Sequence, residues 1–136
     1  AAREQAADRI GHFNIVGRPE SPVEALSGGN QQRVLLALLP PGLRLLLMEH
    51  PTRGLDVESA NWIWQQLLAR REDGTAIVFI SADLDELLER SDRIAVFYGG
   101  RVSAPVEACD TTVERLGYLI AGKNATPEMW NVERDA

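Results

Sequence analysis

Lysine is almost absent from this chain of 136 residues: Lys123 is the single lysine among 14 basic side chains. Against those stand 20 Asp and Glu, for a net charge of −6. The clustered positive charge that a sequence-independent grip on nucleic acid requires is therefore missing. Cysteine is just as scarce. Cys109 stands alone, which excludes a disulfide framework or a multi-cysteine zinc site within the chain. It reads as a small apolar filler in a reducing compartment. No apolar run approaches the ~20 residues that cross a bilayer. The opening Ala-Ala-Arg-Glu-Gln-Ala-Ala-Asp has no apolar stretch suited to a secretion signal. A soluble, cytoplasmic protein is expected. What is present is ordinary: 45% hydrophobic and 25% charged residues, enough for a core and unlike a disordered chain. The length fits one domain at ~100–200 residues.

The periodicity alternates between helix and strand. A first helix is expected to about Phe13, with Ala6, Ile10 and Phe13 on one face. Gly17, Pro19, Ser21 and Pro22 make 14–25 a loop, and a second helix starts at Ser27 and stops at Pro40-Pro41. The almost wholly apolar 44–48 and 76–80 read as strands buried on both faces. Between them 57–73 is helical, with Val57, Ala60, Ile63, Trp64, Leu67 and Leu68 as its apolar stripe. Of Trp62 and Trp64, one is expected inward and the other at a surface. Residues 83–91 form a short helix, with Asp83 and Glu86 spaced as an N-cap and its reciprocal partner. The remaining acids around it, Asp85 and Glu89, read as a solvated helix face rather than a cation site. Gly99-Gly100 signals a hairpin between strands over 93–98 and 101–104, and 111–121 is helical. Strands alternating with helices define an α/β layered domain.

The densest chemical signal is Leu26-Ser27-Gly28-Gly29-Asn30-Gln31-Gln32-Arg33-Val34. Two glycines let a backbone approach a bulky ligand, and Ser27 adds a hydroxyl. The first amides of a helix point outward unpaired, so its start attracts phosphate. Ser-Gly-Gly alone would be an ordinary capped helix after a Gly-rich turn. The whole run resembles the signature motif of ATP-binding-cassette (ABC) ATPases, usually Leu-Ser-Gly-Gly-Gln. The form with Asn followed by two Gln is similar to bacterial importers of simple sugars and nucleosides. Three further segments fall into the family's order. Leu45–Thr52 resembles the Walker B strand, Arg53-Gly54-Leu55-Asp56 the D-loop, and Ile80–Glu86 the switch region. Ser91–Val96 and Gly100-Arg101-Val102 resemble the closing strands, so the resemblance covers roughly residues 1–121.

The resemblance implies a partial ABC-type P-loop NTPase domain: helical signature portion 1–40, Walker B to closing strands 41–121, and a tail 122–136. It implies ATP and Mg²⁺ as the cofactors of the complete cassette pair. Ser27, Gly28, Gly29, Gln31 and Asp56 would face nucleotide. Two departures stand against that competence. The Walker B strand normally ends in Asp, for Mg²⁺, then Glu, which polarises water; here the residues are Glu49 and His50. Glu49 keeps a carboxylate one methylene longer, against a metal with strict octahedral demands. An imidazole is neutral or cationic, never an anion, so His50 is a poor replacement for a carboxylate base. The position of the γ-phosphate-sensing His is Ala82, which has no donor.

The family's phosphate loop, Gly-rich with Lys, belongs before the signature. The one Gly-x-x-x-x-Gly-Lys here is Gly117–Lys123, at the end of a helical run and followed by Asn124. It reads as a helix C-terminus with a capping Gly. The expectation is therefore the C-terminal part of a cassette, the second in its polypeptide, lending its signature to a partner cassette while its own Walker B and switch face is degenerate. The implied partners are that second cassette, membrane permease subunits at the inner face of the bacterial membrane and, indirectly, a solute-binding protein; nucleic acid is not among them. The alternative is a non-hydrolytic structural or interaction module of the same fold. The motifs leave sugar and nucleoside open, with Asp83–Leu87 leaning towards nucleoside.

Overall fold

A computed structural model describes residues 1–123; the expected tail therefore lies outside the described residues beyond Lys123. The chain divides into two compact units, Ala1–Ile80 and Ser81 onward. In chain order the first holds α1 (Ala2–His12), a 3₁₀ turn at Val23–Ala25, α2 (Gly28–Leu38), β1 (Leu45–Glu49), α3 (Val57–Glu72) and β2 (Ala76–Ile80). The second holds α4 (Leu84–Arg90), β3 (Arg93–Ile94), β4 (Phe97–Tyr98), β5 (Arg101–Val102), β6 (Val106–Glu107), a 3₁₀ turn at Ala108–Asp110 and α5 (Val113–Ile120).

In the first unit β1 and β2 pair in parallel, Leu45 opposite Ala76 through Glu49 opposite Ile80. A parallel pair needs a crossover, and α3 supplies it. The core forms where Leu36 of α2 meets Leu46 of β1 and Ile63, Trp64 and Leu67 of α3. Trp64 is buried edge-to-face on Phe79 at 4.8 Å, whereas Trp62 is half-buried beside Phe13 with the Arg33 guanidinium 4.0 Å over its ring. Both tryptophans thus take the places expected of them. The end of α2 is tied down by Arg70, which donates to the carbonyls of Pro40 and Leu36, and by Arg9, which donates to that of Ala37 at 2.7 Å.

Several sequence expectations are corrected here. The strands are not buried on both faces: Leu46 and its neighbours on one side meet the helices, while Leu47 is 68% and Ile80 59% exposed. Leu45 and Val78 lie exposed on the same side. The residue pattern reads as doubly buried because both faces are apolar, yet no element of this unit covers the second. Val57 leaves the apolar stripe and is exposed, since it is the first residue of α3, ahead of the core. Cys109 is exposed rather than filler, its neighbour Ala108 taking the buried place.

The second unit builds its core from Ile94, Val96, Ala108, Leu116 and Leu119. The expected long hairpin splits in two. Gly99 (φ 56°) and Gly100 (φ 76°) do turn β4 into β5, the left-handed pair a tight hairpin demands. Ahead of it, however, β3 pairs antiparallel with β6, a strand the sequence did not announce. Between the two pairings Val96 faces Ser103: its N–H donates to the Ser103 hydroxyl at 2.9 Å and its carbonyl accepts the Ser103 N–H at 2.8 Å. Asp83 caps α4 as expected, accepting from the amides of Asp85 and Glu86 at 3.1 Å. The Ser81 hydroxyl stands between the Asp83 N–H, which it accepts, and the Glu86 carboxylate, to which it donates at 2.6 Å.

The Gly-x-x-x-x-Gly-Lys run is the end of α5. Gly122 (φ 67°) donates to the Leu119 carbonyl and Lys123 to that of Tyr118, a Schellman cap. A Cβ at Gly122 would lie inside the Tyr98 ring. These seven residues therefore terminate a helix and do not cradle phosphate.

Leu67 is wholly buried and Leu47 mostly exposed, so their truncations separate core from uncovered face. Leu67→Ala is expected to cost about 2–5 kcal/mol, and Leu47→Ala far less. Denaturant titration followed by far-UV circular dichroism checks both.

Candidate functional site

Two helix starts come together in the first unit. Ser27 is the N-cap of α2, and its Oγ accepts the Asn30 N–H at 3.4 Å and the Asn30 Nδ2–H at 2.9 Å. Asn30 Oδ1 in turn accepts the Val16 N–H at 2.8 Å. Gln31 donates its side-chain amide to the Leu26 carbonyl at 3.0 Å. The first helical hydrogen bond runs from Gln31 N–H to Ser27 O, so the Gly28 and Gly29 amides precede the helix ladder and have no acceptor in it.

The second start is α3. Asp56 caps it, accepting the Ser59 N–H at 2.9 Å and the Ser59 hydroxyl at 2.8 Å. Those two bonds from Ser59 hold the Asp56 carboxyl below its ordinary range. The starts touch through Ser59. A Cβ on Gly29 would stand 2.8 Å from Ser59 Oγ and 3.2 Å from its Cβ, so only glycine fits without displacing the residue that donates to the Asp56 cap. Gly28 is exposed, and an added Cβ there would meet nothing closer than Leu55 at 3.8 Å. The two glycines thus do different work. Gly28 keeps the helix start open, as their sequence suggests, while Gly29 admits α3.

Ser27, Gly28, Gly29, Gln31 and Asp56 are therefore gathered in one place. Sequence reasoning missed Ser59 as their link, although Asp-x-x-Ser has the spacing of an N-cap and its third residue. It also left out Asn30 from the site residues. Glu49 and His50 are neighbours where β1 ends. Glu49 is exposed and His50 half-buried, with φ 47°. The His50 N–H donates to the Ile80 carbonyl at 2.7 Å and its carbonyl accepts the Arg53 N–H at 3.2 Å. His50 thus adds one more bond beyond β1 and turns the chain away in the left-handed region. Ala82, in the second unit, is exposed. The neighbouring Ser81 hydroxyl already serves Glu86 and Asp83.

The α2 start fits phosphate oxygens: it presents backbone amides without intrahelical acceptors, no Cβ at 28 and 29, and a hydroxyl. For Mg²⁺ the fit is partial. Among the described residues no group of three or more His, Cys, Asp or Glu could hold a metal ion, and Glu49 supplies one carboxylate. Magnesium accepts one or two carboxylates when phosphates and waters fill the rest.

No protein-family model matches the chain. Curated proteins do. The chain is 39% identical over 121 residues to the nucleoside import ATP-binding protein NupA of Lactococcus lactis subsp. cremoris, covering 88% of this chain and 24% of that protein. It is 41% identical over 127 residues to the ribose import ATP-binding protein RbsA 2 of Streptomyces avermitilis, covering 92% and 25%. Among solved structures, an ATP-binding subunit of an ABC transporter superposes with a TM-score of 0.68 at 18% identity, over 87% of this chain and 53% of that one. An ATP-binding cassette in a dimeric, post-hydrolysis state bound to ADP and Pi gives 0.63 at 26%, over 77% and 46%. The chain belongs to the ABC family of ATP-binding proteins. Within it, the relatives above are nucleoside and sugar import proteins, and the chain spans about a quarter of their length.

The Asp56 carboxyl sets a direction for acid stability. A depressed carboxyl stabilises the fold fully above its unfolded value of ~3.9 and loses that contribution as pH falls through the lower, folded value. Asp56→Asn is expected to flatten the acid limb of the stability–pH curve below about pH 4. Urea midpoints measured from pH 2 to 7 check it, with an unchanged limb counting against the cap.

Proposed function

We propose that this chain is the signature-bearing part of a nucleotide-binding domain from a bacterial ABC importer of simple sugars or nucleosides. The observation that carries the reading is a contrast along the chain. One part is an open helix start at Ser27, Gly28 and Gly29, joined through Ser59 to Asp56. Against it stand a Walker B end reading Glu49-His50 and, later in the sequence, a switch position reading Ala82. The division into residues 1–121 of the domain and a tail from 122, and its place as the C-terminal part of a second cassette, belong to the same proposal.

On this reading the intact face completes the ATP site of a partner cassette. The Ser27 hydroxyl and the Gly28 and Gly29 amides donate to anionic oxygens, and the α2 dipole favours the same charge. Gln31 holds the backbone at Leu26, and Asp56 sets the direction of α3 beside the motif. Bound ATP with Mg²⁺ supplies the phosphoanhydride to be cleaved. On the chain's own side, Glu49 is the remaining carboxylate for Mg²⁺. His50 offers no anionic base, and Ala82 no hydrogen bond to a terminal phosphate. The subunit would work at the inner face of the membrane against permease subunits that receive substrate from a solute-binding protein. Among the described residues no helix is long and apolar enough to cross a membrane. The relatives, one a nucleoside and one a ribose import protein, support both sugar and nucleoside as cargo.

Two outcomes follow. The purified 136-residue chain is expected to show no steady-state ATP hydrolysis in a phosphate-release assay, since its sequence carries no Walker A loop, the one Gly-x-x-x-x-Gly-Lys run being the end of α5; clear turnover would refute the reading. In the full-length cassette paired with its partner, Ser27→Arg is expected to abolish most hydrolysis and His50→Ala to change it little. Equal losses would remove the asymmetry.

A further inference from the structure

We propose that Asn30 is a positioning residue that fixes Ser27 as a hydrogen-bond donor to phosphate. The inference rests on the reading that Ser27 faces nucleotide. It starts from a backbone group whose role is unambiguous. The Val16 N–H can only donate, so the Asn30 atom 2.8 Å from it is the carbonyl oxygen Oδ1. The other end of the amide, 2.9 Å from Ser27 Oγ, is therefore the NH₂ group, and it donates.

The Asn30 backbone N–H donates to the same oxygen at 3.4 Å. A hydroxyl has two acceptor lone pairs and one hydrogen. With both lone pairs addressed by Asn30, the remaining capacity of Ser27 is to donate, and Ser27 is exposed, so its hydrogen is available to a ligand. Phosphate oxygens accept and do not donate, which is the complement this arrangement selects. An ordinary Ser cap accepts only the backbone N–H and keeps one lone pair open to water. The second amide of the motif does not share the task, because Gln31 is turned to the Leu26 carbonyl. Asn30 also ties 14–17 to the start of α2, so the clamp is anchored on chain outside the helix.

The test uses the full-length protein with its partner cassette and MgATP as the probe. Hydrolysis is measured against ATP concentration for Ser27→Ala, Asn30→Ala, Asn30→Asp and the two double variants. Asn30→Asp keeps an acceptor for Val16 and replaces the donor to Ser27 by an acceptor. Its charge acts equally with or without the hydroxyl, so the difference between backgrounds isolates the hydroxyl. Thermal melts of each variant accompany the kinetics. Loss of a hydrogen bond to a charged oxygen is expected to make Ser27→Ala raise the half-maximal ATP concentration about tenfold or more. Asn30→Ala is expected to raise it about fivefold when Ser27 is present and less than about twofold in Ser27→Ala, since coupled residues are non-additive. The Asn30→Asp penalty should shrink between the two backgrounds in the same way, with a melting temperature no lower than that of Asn30→Ala. Equal Asn30 penalties in both backgrounds would overturn the positioning role and leave the nucleotide-facing Ser27 standing. A silent Ser27→Ala would overturn both.

Discussion

Everything at the candidate site depends on how closely two helices begin to one another. The start of α2 and the start of α3 meet at Gly29 and Ser59, where a single methyl group would crowd Ser59 and make its side chain shift. Because Ser59 is also the residue that donates twice to Asp56, the fit at Gly29 decides whether α3 is capped in its present direction. The α3 direction in turn places Ile63, Trp64 and Leu67 against Leu36, the core of the first unit. A motif that appears local in sequence is thus the seam along which the unit is assembled. Substitution there changes packing as well as ligand contact, and a purely chemical interpretation of such a variant would be incomplete.

Where sequence and structure agree, the agreement has a local cause. Helix boundaries at Ser27, Asp56, Asp83 and Gly122 follow from side chains or glycines that satisfy orphaned backbone groups within four residues. The crossover β1–α3–β2 follows from two apolar runs around an amphipathic helix. What was not legible depends on partners far along the chain. The outward side of β1 and β2 has the composition of a buried face, and composition is silent on what covers it. The pairing of β3 with β6, Arg93 opposite Glu107 and Ile94 opposite Val106, joins two-residue segments too short to carry a strand pattern of their own. At the site, the motif marks Ser27 and both glycines, yet the role of Asn30 emerges only once 14–17 folds back on α2.

The same contrast bears on the end of β1. His50 is held by its backbone, one bond to Ile80 and one from Arg53, in a conformation that Asn, Asp and His tolerate better than other side chains. The strand end is therefore shaped by main-chain geometry, and the imidazole is carried on a turn that exists for its own reasons. Chemistry at that position can drift while the fold persists. The start of α2 has less such freedom, since Gly29 admits Ser59 and Ser27 caps the helix through Asn30.

The uncovered side of the β1–β2 pair has a consequence for how the molecule is made. Each strand has only the other as a hydrogen-bonded neighbour among the described residues, so each carries a bare outer edge. The β1–α3–β2 crossover joins segments close in sequence and can form early. It leaves an apolar plate of Leu45, Leu47, Val78 and Ile80 and two unpaired edges facing the surrounding solution, so capture by a foreign strand competes with any native covering of that plate.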